Sequence, residues 1–141
     1  MGDLVYAVPD VRSRAEEGVL VSEVVTPAQV ERRLVQLSKD LDDAQTWLQQ
    51  AEEAYADGKS AYEIGIAQAR MTVAARYAER GVKATVQEKE DEALLTCSDL
   101  LTTMNLSDAT VRSARSNVQR VRTQVDITRS VAASVRSSLE M

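Results

Sequence analysis

The chain has 141 residues and a net charge of −5, from 17 Lys and Arg against 22 Asp and Glu, with no His, no Phe, one Cys, five Gly and two Pro. That length suits one domain or one elongated module. The missing His and single Cys exclude imidazole proton relays, Cys/His zinc sites and an intrachain disulfide. Ala, Val, Leu, Gln, Glu and Arg dominate, which is helix and coiled-coil chemistry. No apolar run is long enough to span a bilayer, and no basic start leads into an apolar leader. Tyr6 stands where an N-myristoylation pattern wants Ser or Thr. With one cysteine lacking a partner, the expectation is a cytoplasmic protein that stays out of membranes.

Residues 1–26 differ from the rest. Leu4-Val5-Tyr6-Ala7-Val8 and Val19-Leu20-Val21-Ser22-Glu23-Val24-Val25 are short β-branched runs separated by Pro9-Asp10 and a charged stretch ending at Gly18. They read as a non-helical or β-like arm, either exchanged between subunits or a loose terminus.

The first long helix is announced by Thr26 as N-cap, Pro27 in the first turn and Gln29 closing a capping box. Val30, Leu34, Leu37, Leu41, Ala44, Leu48, Ala51 and Tyr55 then recur three and four apart, the spacing of a seam that lies along another helix. Asp57-Gly58-Lys59 offers a turn and Ser60 with Glu63 a second capping box. The phase nevertheless survives from Tyr55 to Tyr62, so the helix reads as continuous or kinked near 58. Gly58 and Gly65, seven apart, leave room on one side for a close neighbour. Apolar positions drift after Tyr62, through Ile66, Ala69, Val73 and Tyr77, and Gly81 is placed to end the helix at Arg80.

Thr85 with Glu88 forms a further capping box and opens a second helix, 86–139, with a kink near 105 compatible with Asn105 and Ser107. Ala93, Cys97, Leu100, Met104 and Ser107 lead into Val111, Ala114, Val118, Val121, Val125, Thr128, Ala132, Val135 and Leu139, a three-four heptad without a slip. Leu94 and Leu101 widen the stripe, and Cys97 reads as a small buried hydrophobe. Two stretches of 54 residues, about 80 Å of helix each at 1.5 Å per residue, joined by five residues, predict an all-α, antiparallel, coiled-coil-like helical hairpin over 27–141. Its seam is lean in bulk, so homo-oligomerisation is expected.

No catalytic constellation, phosphate loop or metal cluster emerges, and neither an enzyme nor a cofactor is expected. The candidate site is basic. After every second seam position of the last helix stands an arginine: Arg115, Arg122, Arg129 and Arg136, seven apart, with Arg112 and Arg120 on the same helix. Residues 1–60 carry twelve acids and six bases, whereas 101–141 carry three acids and six arginines. A hairpin turning at 82–84 sets Glu52 near Arg115 and Glu31 near Arg136. Arg122 falls opposite Gln45 and Arg129 opposite Ser38, where no acid waits. These arginines therefore either neutralise acidic helix faces or take phosphate, for which the guanidinium fork is well suited. Arg80 and Lys83, with Arg76, make a second cluster near the turn. Trp47 and Tyr55 fit the core, or alternatively stacking on unpaired bases.

From about Ser38 onward the chain resembles the UvsY-type recombination mediators, a class of small phage-encoded helical proteins. The resemblance rests on Trp47-Leu48, the stretch through Ala51, Tyr55, Gly58 and Tyr62, the restart at Thr85 and the Arg-rich segment from Val111 to Arg129. It covers about two-thirds of the chain. It implies a homo-oligomer that binds single-stranded DNA and works with a recombinase and a single-strand-binding protein in the host cytoplasm. Only Lys59 represents the family's basic cluster near the Tyr-Gly stretch, and the overall charge is acidic. The alternative is a structural or adaptor coiled coil, such as a phage assembly or scaffold protein, without nucleic acid.

Overall fold

The computed structural model describes residues 25–140; the arm expected over residues 1–26 lies outside them except for Val25 and Thr26. Three helices account for nearly all of the described chain: α1 (Pro27–Arg80), α2 (Val86–Thr96) and α3 (Ser98–Leu139). No strand occurs among the described residues. The protein is all-α.

The helix ends follow from local chemistry. At the start of α1 the Gln29 backbone N–H donates to Thr26 Oγ1 (3.3 Å) and the Thr26 N–H donates to Gln29 Oε1 (3.0 Å). Two donors that a bare helix start leaves orphaned are thus satisfied reciprocally. Thr85 and Glu88 repeat the arrangement at α2. Gly81 ends α1 with φ 63°, a left-handed conformation that glycine adopts without Cβ strain.

By contact the chain divides into two compact units, a terminal one (Met1–Lys39 with Thr123–Met141) and a mid-chain one (Asp40–Arg122). In the mid-chain unit early α1 residues meet late α3 residues. Ala44 packs with Val118 and Val121, Ala51 with Val111 and Ala114, and Ile66 and Ala69 with Ala93 and Cys97. The packing is therefore antiparallel. Between these clusters the glycines bring the helices close: a Cβ on Gly58 would lie 3.5 Å from Met104 Cα, and one on Gly65 would lie 2.5 Å from Leu100 Cδ1. Neither glycine breaks α1, which runs through residue 58 without interruption. In the terminal unit Leu37 is fully buried, and Pro27, Val30, Glu31 and Leu34 face Ala132, Val135 and Arg136 across a small apolar cavity.

The second helix departs from the expectation of one element over 86–139. The break falls at Cys97, not near 105. Cys97 has ψ 15°, and its N–H is shared between the Ala93 and Leu94 carbonyls (3.1 and 3.2 Å). Thr96 Oγ1 donates back to the Glu92 carbonyl at 2.9 Å, but Ser107, Thr110 and Thr128 make the same bond within unbroken α3, so it does not by itself account for the break. The break falls where Cys97 and Leu100 face Gly65 across the seam. The Leu101 N–H recovers a helical bond to Cys97 O at 2.9 Å, so seam phase survives the break.

The core is as lean as its composition. Of the buried apolar side chains only Leu37 and Val73 are both large and fully enclosed. Cys97 is buried, as expected of a small hydrophobe. The last seam position, Leu139, is 69 % exposed.

Candidate nucleic-acid interface

In the mid-chain unit α1 presents Gln45, Leu48, Gln49 and Glu52, and α3 presents Arg115, Val118, Gln119 and Arg122, to one open groove. Both sets are spaced three, four and seven apart, so each helix offers one flank of its seam. Leu48 and Val118 form an apolar floor. Polar and charged heads rise at the edges.

Arg115 Nη2 lies 3.7 Å from Glu52 Oε1, one of the two acids, with Glu31, that seam register places near the row. That distance exceeds the 2.7–2.9 Å of a charge-assisted hydrogen bond, and both side chains are more than half exposed (65 % and 51 %). Arg122 faces Gln45 across the groove. Among the described residues no carboxylate stands within ion-pairing distance of it.

The remaining candidates divide. Arg112 pairs with Asp108 one turn earlier (3.6 Å), an acid-before-base order that suits a helix. Arg120 Nη2 donates to Asn117 Oδ1 at 2.7 Å. Both pairings are local to α3 and fall outside the groove-lining set. In the terminal unit Arg129 and Arg136 have no carboxylate partner among the described residues. Arg136 shares the rim of the apolar cavity with Glu31, but the expected Glu31–Arg136 ion pair does not close. Arg136 lies in the last turn of α3 and Arg80 in that of α1, where positive charge meets the negative end of a helix dipole. Arg80 and Lys83 are exposed and likewise lack an acid partner among the described residues.

The aromatic residues separate as well. Tyr55 packs against the Ala51, Val111 and Ala114 cluster. Trp47 does not join the core, being 40 % exposed, and it does not line the groove. Its position, three residues beyond buried Ala44 and one before half-buried Leu48, puts it at the edge of the seam. A stacking role beside Arg115 and Arg122 therefore has no support from its placement.

Near the α1–α2 turn lies a polar cluster that periodicity does not reveal. Arg70 clamps Glu90 through Nε (3.0 Å) and Nη2 (2.7 Å). The hydrogen-bonded guanidinium holds the Glu90 carboxyl below its ordinary range, and the carboxylate raises Arg70 in turn. Tyr77 donates its hydroxyl to Glu92 Oε1 at 2.5 Å, which raises the phenol because ionising it would lose that bond. Arg76 reaches the same Glu92 more loosely, at 3.9 Å. These contacts remove Arg76 from the turn's free cations and leave Arg80 and Lys83. Among the described residues no group of acids, cysteine or histidine is disposed to hold a metal, and no helix is long and apolar enough to cross a membrane.

No family model, curated protein or solved structure matches the chain.

Proposed function

We propose that this protein is a non-enzymatic, phage-encoded recombination accessory protein of the mediator kind, a helical hairpin acting as a homo-oligomer that binds single-stranded DNA through its arginines. The observation that carries the reading is Arg122: a guanidinium in an open interhelix groove, beside Arg115 and opposite glutamine, with no acid to neutralise it among the described residues. Arg129 and Arg136 continue the seven-residue spacing in sequence and have no acid partner among the described residues either. Guanidinium groups of this kind donate paired hydrogen bonds to phosphate oxygens. The acidic surface of α1, with Asp42, Asp43 and Glu53 exposed, would repel duplex and offer a face to a recombinase or a single-strand-binding protein.

Self-assembly is supported by a second apolar seam on α1. Ile64, Ala67, Met71, Ala74 and Ala78 recur three and four apart and are all exposed, Ile64 by 60 % and Met71 by 73 %. A helix apolar on both faces is one that packs on both. The same seam favours the second reading, an adaptor or scaffold coiled coil that uses helices alone and no nucleic acid.

Fluorescence anisotropy of a labelled oligothymidylate, titrated with the full chain at about 50 and about 200 mM salt, separates the two. Phosphate contacts must strengthen at low salt, with a slope near −0.7 per phosphate on a single strand. R122E/R129E abolishes that binding while circular dichroism and light scattering stay those of the parent. Absence of binding at low salt removes the DNA reading and leaves the scaffold. If R122E/R129E instead dissociates the oligomer, those arginines are structural.

A further inference from the structure

We infer that Glu52 is a built-in competitor for the groove's anionic ligand, holding Arg115 until a phosphate displaces it. The inference rests on the phosphate-binding reading of the Arg115–Arg122 groove and names how that site is regulated. Among the described residues the mid-chain unit makes three interhelix Arg–Glu pairs, one tight and two loose, Arg76–Glu92 at 3.9 Å being the second loose one. Arg70 and Glu90 form a forked clamp with two nitrogens engaged and a shortest contact of 2.7 Å. Arg115 and Glu52 stand 3.7 Å apart with no hydrogen bond closed between them. An exposed pair at that distance contributes little to folding, so breaking it costs little.

Glu52 is nevertheless the only carboxylate among the groove-lining residues. With it, the two arginines leave the groove one net positive charge. Without it, they leave two. A strand with one phosphate on Arg122 brings a further phosphate to a second guanidinium one heptad away, about 10.5 Å along α3 at 1.5 Å per residue, whose only competing anion among the described residues is Glu52. Phosphate offers Arg115 a bidentate acceptor of higher charge. The exchange is carboxylate for phosphate on one guanidinium, with no proton transferred.

The test compares the full-length parent with E52Q, R115Q, E52Q/R115Q and R122Q, using anisotropy of labelled oligothymidylate across the same salt range. E63Q removes one charge from α1 outside the groove and controls for the general field. In E52Q no carboxylate has to leave Arg115, so affinity rises at both salt concentrations while the slope stays near the parent's. R115Q lowers the slope by about 0.7 in either background, E52Q/R115Q loses the gain, and E63Q does not reproduce it. R122Q lowers the slope by about 0.7.

A parent that binds through Arg122 while E52Q keeps the parent's affinity overturns the inference and leaves the function standing. An E52Q gain that survives in E52Q/R115Q, or appears equally in E63Q, also overturns it. No binding by parent or E52Q at about 50 mM salt overturns the DNA function itself.

Discussion

Gly58 provides a quantitative test of the interhelix packing. A glycine inside a helix costs about 1 kcal/mol relative to alanine, so a buried one in mid-helix needs a packing reason. The structure supplies only half of one. A methyl group added at Gly58 would sit 3.5 Å from Met104 Cα, 3.8 Å from Met104 N and 3.8 Å from Ser107 Oγ, all ordinary van der Waals separations. Ser107 already donates to the Thr103 carbonyl and loses nothing. The methyl therefore fits a buried slot, adding up to about 0.8 kcal/mol of burial to the helix-propensity gain. Gly58→Ala should stabilise the protein by about 1–2 kcal/mol. Gly65→Ala has the same propensity gain but meets Leu100 Cδ1 at 2.5 Å, so Leu100 must turn away from the seam. Its gain should be smaller by about 0.5–1.5 kcal/mol, the cost of driving the Leu100 side chain, 36 % exposed, off its rotamer. Urea unfolding followed at 222 nm, at one fixed protein concentration because association shifts apparent stability, measures both variants. A Gly58→Ala midpoint below the parent's would refute the spacing inferred between α1 and α3. So would a Gly65→Ala gain as large as that of Gly58→Ala.

Gly81→Ala should destabilise by about 1–2 kcal/mol, the cost of a Cβ in the left-handed region. Nothing lies within 4 Å of the new atom, so a larger loss in urea unfolding would mean an unrecognised contact. Thr85→Ala removes the α2 capping box and should cost about 1 kcal/mol, with Thr85→Ser recovering most of it; equal losses for the two would exclude the cap as the cause. Glu90 is held below its ordinary pKa by Arg70, so its share of stability is present above the unfolded carboxylate pKa and is lost as pH falls through the lower folded value. Arg70→Gln should flatten that acid limb in thermal unfolding between about pH 5 and 2, near the ordinary carboxylate range; an unchanged limb would rule out the clamp. Tyr77 is raised, so its contribution holds below the ordinary phenol pKa and is lost on the alkaline side. Tyr77→Phe should remove that alkaline loss.

Much of the fold could be read from sequence because its determinants are local. The three-four spacing fixed α1 and the inward edge of α3, and Thr26/Gln29, Thr85/Glu88 and Gly81 set the ends where the structure has them. Glu52 near Arg115 followed from constant offset along an antiparallel seam. The seam offset persists past Tyr62, since Gly65 meets Cys97 and Leu100 one heptad from where Gly58 meets Met104 and Ser107. The flanking pair does not follow it: the offset that pairs Glu52 with Arg115 would place Arg70 opposite Cys97, whereas Arg70 clamps Glu90. The break at Cys97 was hidden as well. It falls where Leu100 and Cys97 face Gly65, a contact that depends on the partner helix. Trp47 lies outside the core because a heptad assigns a face, and a large side chain one position off the seam reaches past the edge.

The arrangement of charge also bears on how a protein with net charge −5 could hold the polyanion proposed for it. The net field repels an anion at long range. The proposed binding would have to come from short-range contacts in which guanidinium and phosphate meet directly, inside the Debye length of about 8 Å at physiological salt. Such contacts form only where acids are locally missing. Arg70 and Arg120 are held by closed hydrogen bonds and cannot serve without losing them. Arg76, Arg112 and Arg115 face acids only at 3.6–3.9 Å, and Arg122 has no acid within ion-pairing distance among the described residues. Local vacancy of acids, rather than total basicity, therefore decides which arginines can bind. It follows that adding positive charge far from the groove should accelerate encounter with DNA while leaving the lifetime of the complex unchanged.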